Sequence, residues 1–489
     1  DNLMQPFYLR VSEIIDHAAR YHPNRRIISR NVEGSITETN WINIFHNSKK
    51  LSKALIKLGI KKGDRIGVMA WNTSRHLEIW YGIPGSGAVN HTLNPRLFSK
   101  QLSFIINHAE DKILIIDYDL LPIIEKILPT CKTVEKVIVI SDIEKMPKST
   151  IPDLICYEEI LKEQDEDFDW IKGDEREACG ICYTSGTTGN PKGVVYTHRS
   201  NVLHAMTSAS PDMLNLSSRD RVMPVVPLFH ANGWSIGYTA PLVGASMVMP
   251  GKEMTPEALF EMLEKGVTVT AAVPTIWLLL LNYLKANQLK LSTLERVIIG
   301  GSSCPRAVIE TFQKDFGVQV LHAWGMTETS PLGTVNKPLT KHLGMSKNEL
   351  IQLATKQGRP MYGVDIKITN DKGKELQRDG SSFGNLWIKG PWICSGYLNI
   401  TKSDTHLDDG WFLTGDVATI DSDGYMQITD RVKDVIKSGG EWISTIEIEN
   451  IAVAHPKILE AAVVGVLHHK WDERPLLIIV SKENISKEE

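Results

Sequence analysis

Apolar residues recur at helical spacing across positions 42–58, which predicts an amphipathic helix closed by Gly59-Ile-Lys-Lys-Gly63. A short apolar run at 65–70 then predicts a strand, and similar runs at 113–116 and 137–140 alternate with helical stretches. Alternation of this kind predicts α/β layers around a largely parallel sheet. Residues 141–177 are acidic and irregular and read as a surface excursion. The pattern resumes with a strand at 268–273, ended by Pro274, and a buried helix around 276–284. A strand at 297–299 turns through Gly300-Gly-Ser-Ser303 into a helix with Pro305 near its first position. A further strand is predicted at 318–321.

From about Gly384 the texture changes to strands and hairpins, with Asp409-Gly410 and Asp423-Gly424 as turn dipeptides. Asp421-Ser-Asp423-Gly424 reads as a turn, because a calcium loop would need further oxygen ligands and a distal glutamate. A dense charged stretch, Asp430-Arg-Val-Lys-Asp434, precedes a new β/α unit. The expected organisation is a large N-terminal domain over 1–430, of layered sheets and helices with a β-rich subdomain. The start of a small, mobile C-terminal α+β domain follows over 431–489.

Composition narrows the function classes. The 489 residues are 42% hydrophobic, enough for a large core and more than one domain. The net charge of −4, with basic residues scattered, gives no electrostatic case for nucleic acid. No apolar run approaches the roughly 18 residues of a membrane span, and no signal peptide is visible. Six cysteines in so long a chain do not make a disulfide framework, which points to a reducing, cytoplasmic setting. Cys179 and Cys182 form a Cys-x-x-Cys pair, but residues three apart on a strand point to opposite faces, so both read as small buried side chains.

The candidate chemistry lies first in Tyr183-Thr-Ser-Gly-Thr-Thr-Gly-Asn-Pro-Lys-Gly-Val194. Gly186, Gly189 and Gly193 let the backbone turn sharply and bring N–H groups close to an anion. Thr184, Ser185, Thr187, Thr188 and Lys192 add donors that a polyphosphate can use. The motif is not the Gly-Lys-Ser/Thr loop that opens a helix. Here Lys192 and Gly193 lead into a β-rich run, and another lies before the loop, so the reading is a hairpin.

Four more segments follow in order: Gly300-Gly-Ser-Ser303, His322-Ala-Trp-Gly-Met-Thr-Glu328, Trp411-Phe-Leu-Thr-Gly-Asp416, and Asp430 to Trp442. With the hairpin loop they resemble the ordered motif set of the AMP-forming acyl/aryl-CoA synthetase superfamily, over nearly the whole chain. Pro227-Leu-Phe-His-Ala-Asn-Gly-Trp234 and Lys437-Ser-Gly-Gly-Glu-Trp-Ile-Ser444 make it most similar to medium- and long-chain fatty acyl-CoA synthetases. The resemblance implies that a fatty acid attacks the α-phosphate of ATP, releasing pyrophosphate, and that CoA then displaces AMP. The carboxylate is already ionised near neutral pH, so no general base is required. What the step demands is charge neutralisation and in-line positioning.

By this resemblance the Thr184–Lys192 loop, including Ser185, Gly186, Thr187, Thr188 and Gly189, holds the β- and γ-phosphates. Thr184 and Glu328 lie next to Mg2+, and Thr327 touches the α-phosphate. Trp324 stacks on adenine, where the family usually has tyrosine or another aromatic, and His322 and Gly301 flank the base. Asp416 accepts the ribose hydroxyls, with Arg431 and Lys433 near ribose and phosphate. Lys437 and Trp442 meet the nucleotide or CoA. His230 and Ala231 line the acid pocket. Trp234 is either a gate in an acyl tunnel or a core tryptophan. Asp430, taken as charged and exposed, is the hinge of the small domain. The family also implies a homodimer.

The resemblance implies an adenylation lysine in a glycine-containing motif near the end of the C-terminal domain; no such motif occurs up to Glu489, so the chain as given is expected to adenylate poorly. The rival readings are an aryl-CoA ligase, a luciferase-like enzyme or fatty acyl-AMP ligase, and a non-catalytic adenylate-sensing module.

Overall fold

The computed structural model describes residues 3–481 except 185–189, 402, 408, 432, 433, 439, 440, 456, 470 and 471, and the side chains of 437, 441, 442, 447 and 472 are not described. The chain divides into two compact units. The first comprises 1–298, 325–332 and 391–403, and the second 299–324, 333–390 and 404–489. The junction expected at 430/431 lies inside the second.

A seven-stranded sheet organises the first unit. Its order is Ile155–Cys156, Lys136–Ile140, Asp111–Asp117, Arg65–Met69, Val89–Thr92, Ala178–Tyr183 and Gly193–Thr197. All neighbours are parallel except the last pair, an antiparallel hairpin. Parallel strands buried on both faces carry apolar residues at nearly every position, as 113–116 and 137–140 do, whereas Val89–Thr92 buries Asn90, His91 and Thr92. Ile113 and Ile115 pack with Leu51 and Leu55 of the helix Trp41–Lys57 and with Ile79 and Ile83 of Ser74–Gly85. Leu114 and Ile116 point the other way, toward Leu102, Ile105 and Ile106 of Ser99–Ala109. A second run of strands in this unit is ordered Ile36–Asn40, Arg26–Arg30, Ser246–Met249, Arg221–Pro224 and Val269–Ala272.

Residues 141–177 are not merely a surface excursion. They contain the edge strand Ile155–Cys156 and the helix Tyr157–Lys162, whose Tyr157 and Leu161 enter the core. Six residues of helix are too few for a periodic signal, but Tyr157 and Leu161 are one turn apart and share a face.

The second unit carries the predicted hairpins. Strands Asp365–Thr369, Phe383–Lys389, Phe412–Ile420 and Met426–Arg431 form an antiparallel sheet. The turn at Asp421–Tyr425 is held by Asp421 Oδ1, which accepts the N–H groups of Asp423 and Tyr425 at 3.0 and 2.9 Å. A smaller sheet follows, ordered Glu441–Ile443, Ile436–Ser438, Asp472–Ser481 and Ile458–His468, together with the helix Thr445–Val453. Asp430 is buried, contrary to the expectation of an exposed hinge charge. Its Oδ2 accepts the Thr445 N–H at 2.7 Å, so the carboxylate serves the first turn of that helix, where an anion is stabilised.

Candidate active site

The hairpin exists as read, with Tyr183 opposite Gly193. Its loop is closed at the root by two bonds. The Thr184 N–H donates to the Lys192 carbonyl at 2.9 Å, and the Lys192 N–H donates to Thr184 Oγ1 at 3.2 Å. Gly193 is required by close approach, since a Cβ there would lie 3.0 Å from the Tyr183 ring and 3.2 Å from Leu398. Ser185, Gly186, Thr187, Thr188 and Gly189 lie outside the described residues.

Glu328 sits in a one-turn helix, Thr327–Thr329, and is 7% exposed. Side chains and backbone from other elements hold this turn. The Tyr397 hydroxyl donates to Glu328 Oε1 at 2.9 Å, and the Cys394 N–H donates to the Glu328 carbonyl at 2.9 Å. The Tyr196 hydroxyl donates to the Thr327 carbonyl at 2.7 Å. Lys192 Nζ stands 4.9 Å from the centre of the Tyr397 ring. Lysine, tyrosine and glutamate thus form a continuous chain of contacts, and Tyr397 links the foot of the glycine-rich loop to Glu328 within one compact unit. Burial, and secondarily the Glu328 charge, pushes the Cys394 thiol up to about 12.

A hard cation takes oxygen ligands, and Mg2+ is usually held by one or two carboxylates plus substrate phosphates. The site fits that pattern: it offers a buried carboxylate at the foot of a hydroxyl-rich loop. Among the described residues no group of three or more His, Cys, Asp or Glu could hold a metal ion by itself.

The segment carrying His230, Ala231 and Trp234 is backbone-strained. Ala231, Asn232, Gly233, Trp234 and Ser235 have φ of 44, 59, 58, 50 and 61°. L-residues visit this left-handed region singly, at a cost of roughly 1–2 kcal/mol each, so the four that flank Gly233 must be held by their surroundings. Asn232 donates to Asn201 Oδ1 at 2.8 Å, and the Phe229 carbonyl accepts from the Cys182 thiol at 3.6 Å. His230 is exposed and Trp234 half-buried. A Cβ on Gly237 would lie 3.0 Å from Trp80, so the space beside that glycine is taken by the indole.

The second unit holds another cluster. The Trp324 indole N–H donates to Asp416 Oδ2 at 2.8 Å, and Arg431 Nε pairs with Asp416 Oδ1 at 2.8 Å. Asp416 is 2% exposed and Trp324 8%. Gly333 lies against the indole, where a Cβ would come within 2.5 Å. His322 is fully buried with Nδ1 at 3.2 Å from the Ala354 carbonyl, and burial lowers its pKa to about 4, holding it neutral. Gly301 has φ +84°. Lys433 and the side chains of Lys437 and Trp442 lie outside the described residues.

Sequence reasoning missed Tyr397 and Tyr196. Each stands in a run read only as strand or loop, and no spacing marks either as a partner of residues 327–328. A buried tyrosine seeks a partner for its hydroxyl, but which partner is a tertiary fact.

A family model for AMP-binding enzymes matches residues 15–398, and one for the AMP-binding enzyme C-terminal domain matches 447–489. The chain belongs to the AMP-binding enzyme family. It is 48% identical over 477 residues to the medium-chain-fatty-acid–CoA ligase of Ectopseudomonas oleovorans, covering 97% of this chain and 87% of that protein. It is 49% identical over 476 residues to the 3-methylmercaptopropionyl-CoA ligase of Ruegeria lacuscaerulensis, covering 97% and 88%. The anthranilate CoA ligase AuaEII, solved with anthranoyl-AMP, shares the fold with a TM-score of 0.87 at 23% identity, covering 99% of this chain and 89% of that chain.

Proposed function

We propose that the protein is an ATP-dependent fatty acid–CoA ligase that works through an acyl-AMP intermediate and releases pyrophosphate and then AMP. The observation that carries the reading is the contact chain from Lys192 through Tyr397 to Glu328, which draws a phosphate-gripping loop and a buried carboxylate to one place. Relatedness to a medium-chain-fatty-acid–CoA ligase over 97% of the chain supports the reaction class.

In this reading the Thr184–Lys192 loop holds the β- and γ-phosphates, and Thr327 lies by the α-phosphate. Glu328 and Thr184 would hold Mg2+, which when bound would supply charge neutralisation on the phosphates. Trp324 offers an aromatic face to adenine, His322 and Gly301 flank it, and Asp416 accepts the ribose hydroxyls. Arg431 and Lys433 serve the ribose–phosphate side, and Lys437 and Trp442 the nucleotide or CoA. The acid lies by His230, Ala231 and Trp234, and the strained backbone over 231–235 is characteristic of ligand clamps. The small domain begins after Asp430. A homodimer and a cytoplasmic setting belong to the same reading. Among the described residues no helix is long and apolar enough to cross a membrane.

A second acid has specific support: the 49% identity to a 3-methylmercaptopropionyl-CoA ligase favours a short thioether acid. AMP release and acyl-CoA formation are to be measured with octanoate, dodecanoate, 3-methylmercaptopropionate and benzoate. Turnover of the alkyl acids at the highest kcat/KM is expected. Preference for the thioether acid moves the assignment to that class, and preference for benzoate to the aryl ligases. Acyl-AMP without acyl-CoA indicates an acyl-AMP ligase. No AMP with any acid favours an adenylate sensor.

A further inference from the structure

We propose that Tyr397 is a positioning residue: its hydroxyl sets the rotamer of Glu328 for Mg2+, while its ring holds Lys192 until a triphosphate takes the lysine away. The inference rests on the ligase reading and assigns a role to a residue outside its motif set.

The geometry is specific. Tyr397 is 9% exposed and packs with Cys182, Val194 and Tyr196, so its ring has one orientation. The chain around it is tied to both structures it links. The Leu398 N–H donates to the Gly193 carbonyl at 2.8 Å, on the strand that leaves the glycine-rich loop. The Cys394 N–H donates to the Glu328 carbonyl at 2.9 Å. Asn399 Nδ2 donates to the His108 carbonyl at 3.3 Å. The segment is therefore stitched to the hairpin and to the glutamate turn at once.

A glutamate side chain has three rotatable bonds, and a cation ligand gains from having them fixed in advance. The Tyr397 hydroxyl does this at Oε1. A carboxylate has about four lone-pair sites, so a phenol and a hard cation can share one. The ring does a separate task. An ammonium over an aromatic face is attracted by the ring quadrupole, and Lys192 Nζ lies 4.9 Å from the centroid. A triphosphate competes with the ring for that ammonium, whereas the hydroxyl-to-carboxylate bond has no reason to break. The two ends of one side chain thus act in sequence: the ring yields the lysine and the hydroxyl keeps the glutamate.

The test separates the two ends, using Mg2+ and ATP as probes on the full 489-residue chain. Tyr397→Phe keeps the ring and removes the hydroxyl. Calorimetric titration of ATP binding against free Mg2+ is expected to show half-saturation raised about tenfold or more, the scale for losing an outer-sphere partner of a metal ligand. ATP affinity in EDTA should stay within about twofold of wild type, since the metal ligand is not in play there. Tyr397→Leu removes both ends, and metal-free ATP should bind several-fold more tightly than to Tyr397→Phe, because the lysine is no longer held. Should the leucine variant fail to fold, the phenylalanine variant decides alone. Unchanged Mg2+ half-saturation in Tyr397→Phe overturns the proposal. So does an equal loss of metal-free and Mg2+-dependent binding, which marks a merely structural tyrosine. If wild type shows no Mg2+-dependent ATP binding, the ligase reading fails and this inference with it.

Discussion

Trp324 and Asp416 are joined by a 2.8 Å hydrogen bond from the indole N–H to Oδ2, although 92 residues separate them. The residue proposed to meet adenine therefore orients the carboxylate proposed to meet ribose. A tyrosine or phenylalanine at 324 would supply the aromatic face without that N–H donor. In Trp324→Phe the buried carboxylate loses one charge-assisted bond and keeps Arg431, which is half-exposed and screened. Stability should fall by about 1–3 kcal/mol in urea unfolding, and ATP should bind about tenfold more weakly, a loss of about 1.4 kcal/mol. Wild-type ATP affinity in this variant would mean the indole N–H does not set the ribose acceptor.

Glu328→Gln is the direct probe of the proposed metal ligand. The amide oxygen still accepts from Tyr397, so packing is kept and only the charge is lost. Mg2+-dependent AMP formation should drop at least about 100-fold, beyond the scale for an outer-sphere partner. Thermal stability should change little. Comparable loss of both would make Glu328 a structural carboxylate.

A buried carboxylate far from this chemistry governs how stability depends on pH. Glu78 is surrounded by Asn47, whose amide donates to Oε1 at 2.8 Å, and by Tyr157, whose hydroxyl donates to Oε2 at 2.8 Å. Burial raises its pKa to about 7, with Glu158 adding to the rise and Arg75 opposing it. The folded state thus holds a proton that the unfolded chain, near 4.5, has released. Its stabilising contribution is fully present below pH 4.5 and is lost as pH rises through about 7. The difference amounts to about 3 kcal/mol. Glu78→Gln should remove this component, so that the variant gains on wild type between pH 5 and pH 8 in urea unfolding. Parallel pH profiles for the two proteins would contradict the assignment.

Much of the scaffold is legible because its signals are local. The helix Trp41–Lys57 follows from periodicity, the strand Arg65–Met69 from a short apolar run, and the Ala178–Tyr183 hairpin from two β-rich runs around a glycine-rich loop. Cys179 and Cys182 are both buried, as read, although residues three apart on a strand face opposite sides. The partner of Glu328 was not legible. Tyr397 lies 69 residues away, and nothing in Cys394-Ser-Gly-Tyr397 announces a hydroxyl aimed at a carboxylate. Asp430 was misread as exposed because a charged junction residue ordinarily is, and its role at the Thr445 helix start exists only in three dimensions.

The cysteines yield a chemical prediction. All six are free thiols, five of them buried and Cys394 half-buried. Burial pushes the Cys131 thiol up to about 11 and those of Cys179 and Cys394 to about 12, and raises Cys182 and Cys304 as well. The thiolate is the reactive form, so a disulfide reagent at pH 8 should modify the folded protein far more slowly than the denatured chain. Cys394 should react first, being the more accessible. Rapid labelling of Cys179 or Cys182 in the native state would show that the hairpin strand opens.

Ser235 tests whether the left-handed segment is retained for function. It has φ 61° and ψ 8°, is fully buried, and among the described residues its hydroxyl has no hydrogen-bond partner. Its carbonyl accepts from Thr239 Oγ1 at 3.0 Å, which fixes the backbone in place. Ser235→Gly relieves the left-handed cost of about 1–2 kcal/mol and the desolvated hydroxyl, offset by about 0.5–1 kcal/mol of added chain entropy in the unfolded state. A net gain of about 1 kcal/mol is expected. Ser235→Ala removes the hydroxyl but leaves Cβ at the strained φ, and should gain less. A protein that keeps a serine here against that gradient is holding the turn rigid for its neighbours. The glycine variant should accordingly show a higher melting temperature and a raised KM for the acid, with the KM for ATP unchanged. A glycine variant that is less stable than wild type would show that the serine side chain is packed rather than strained.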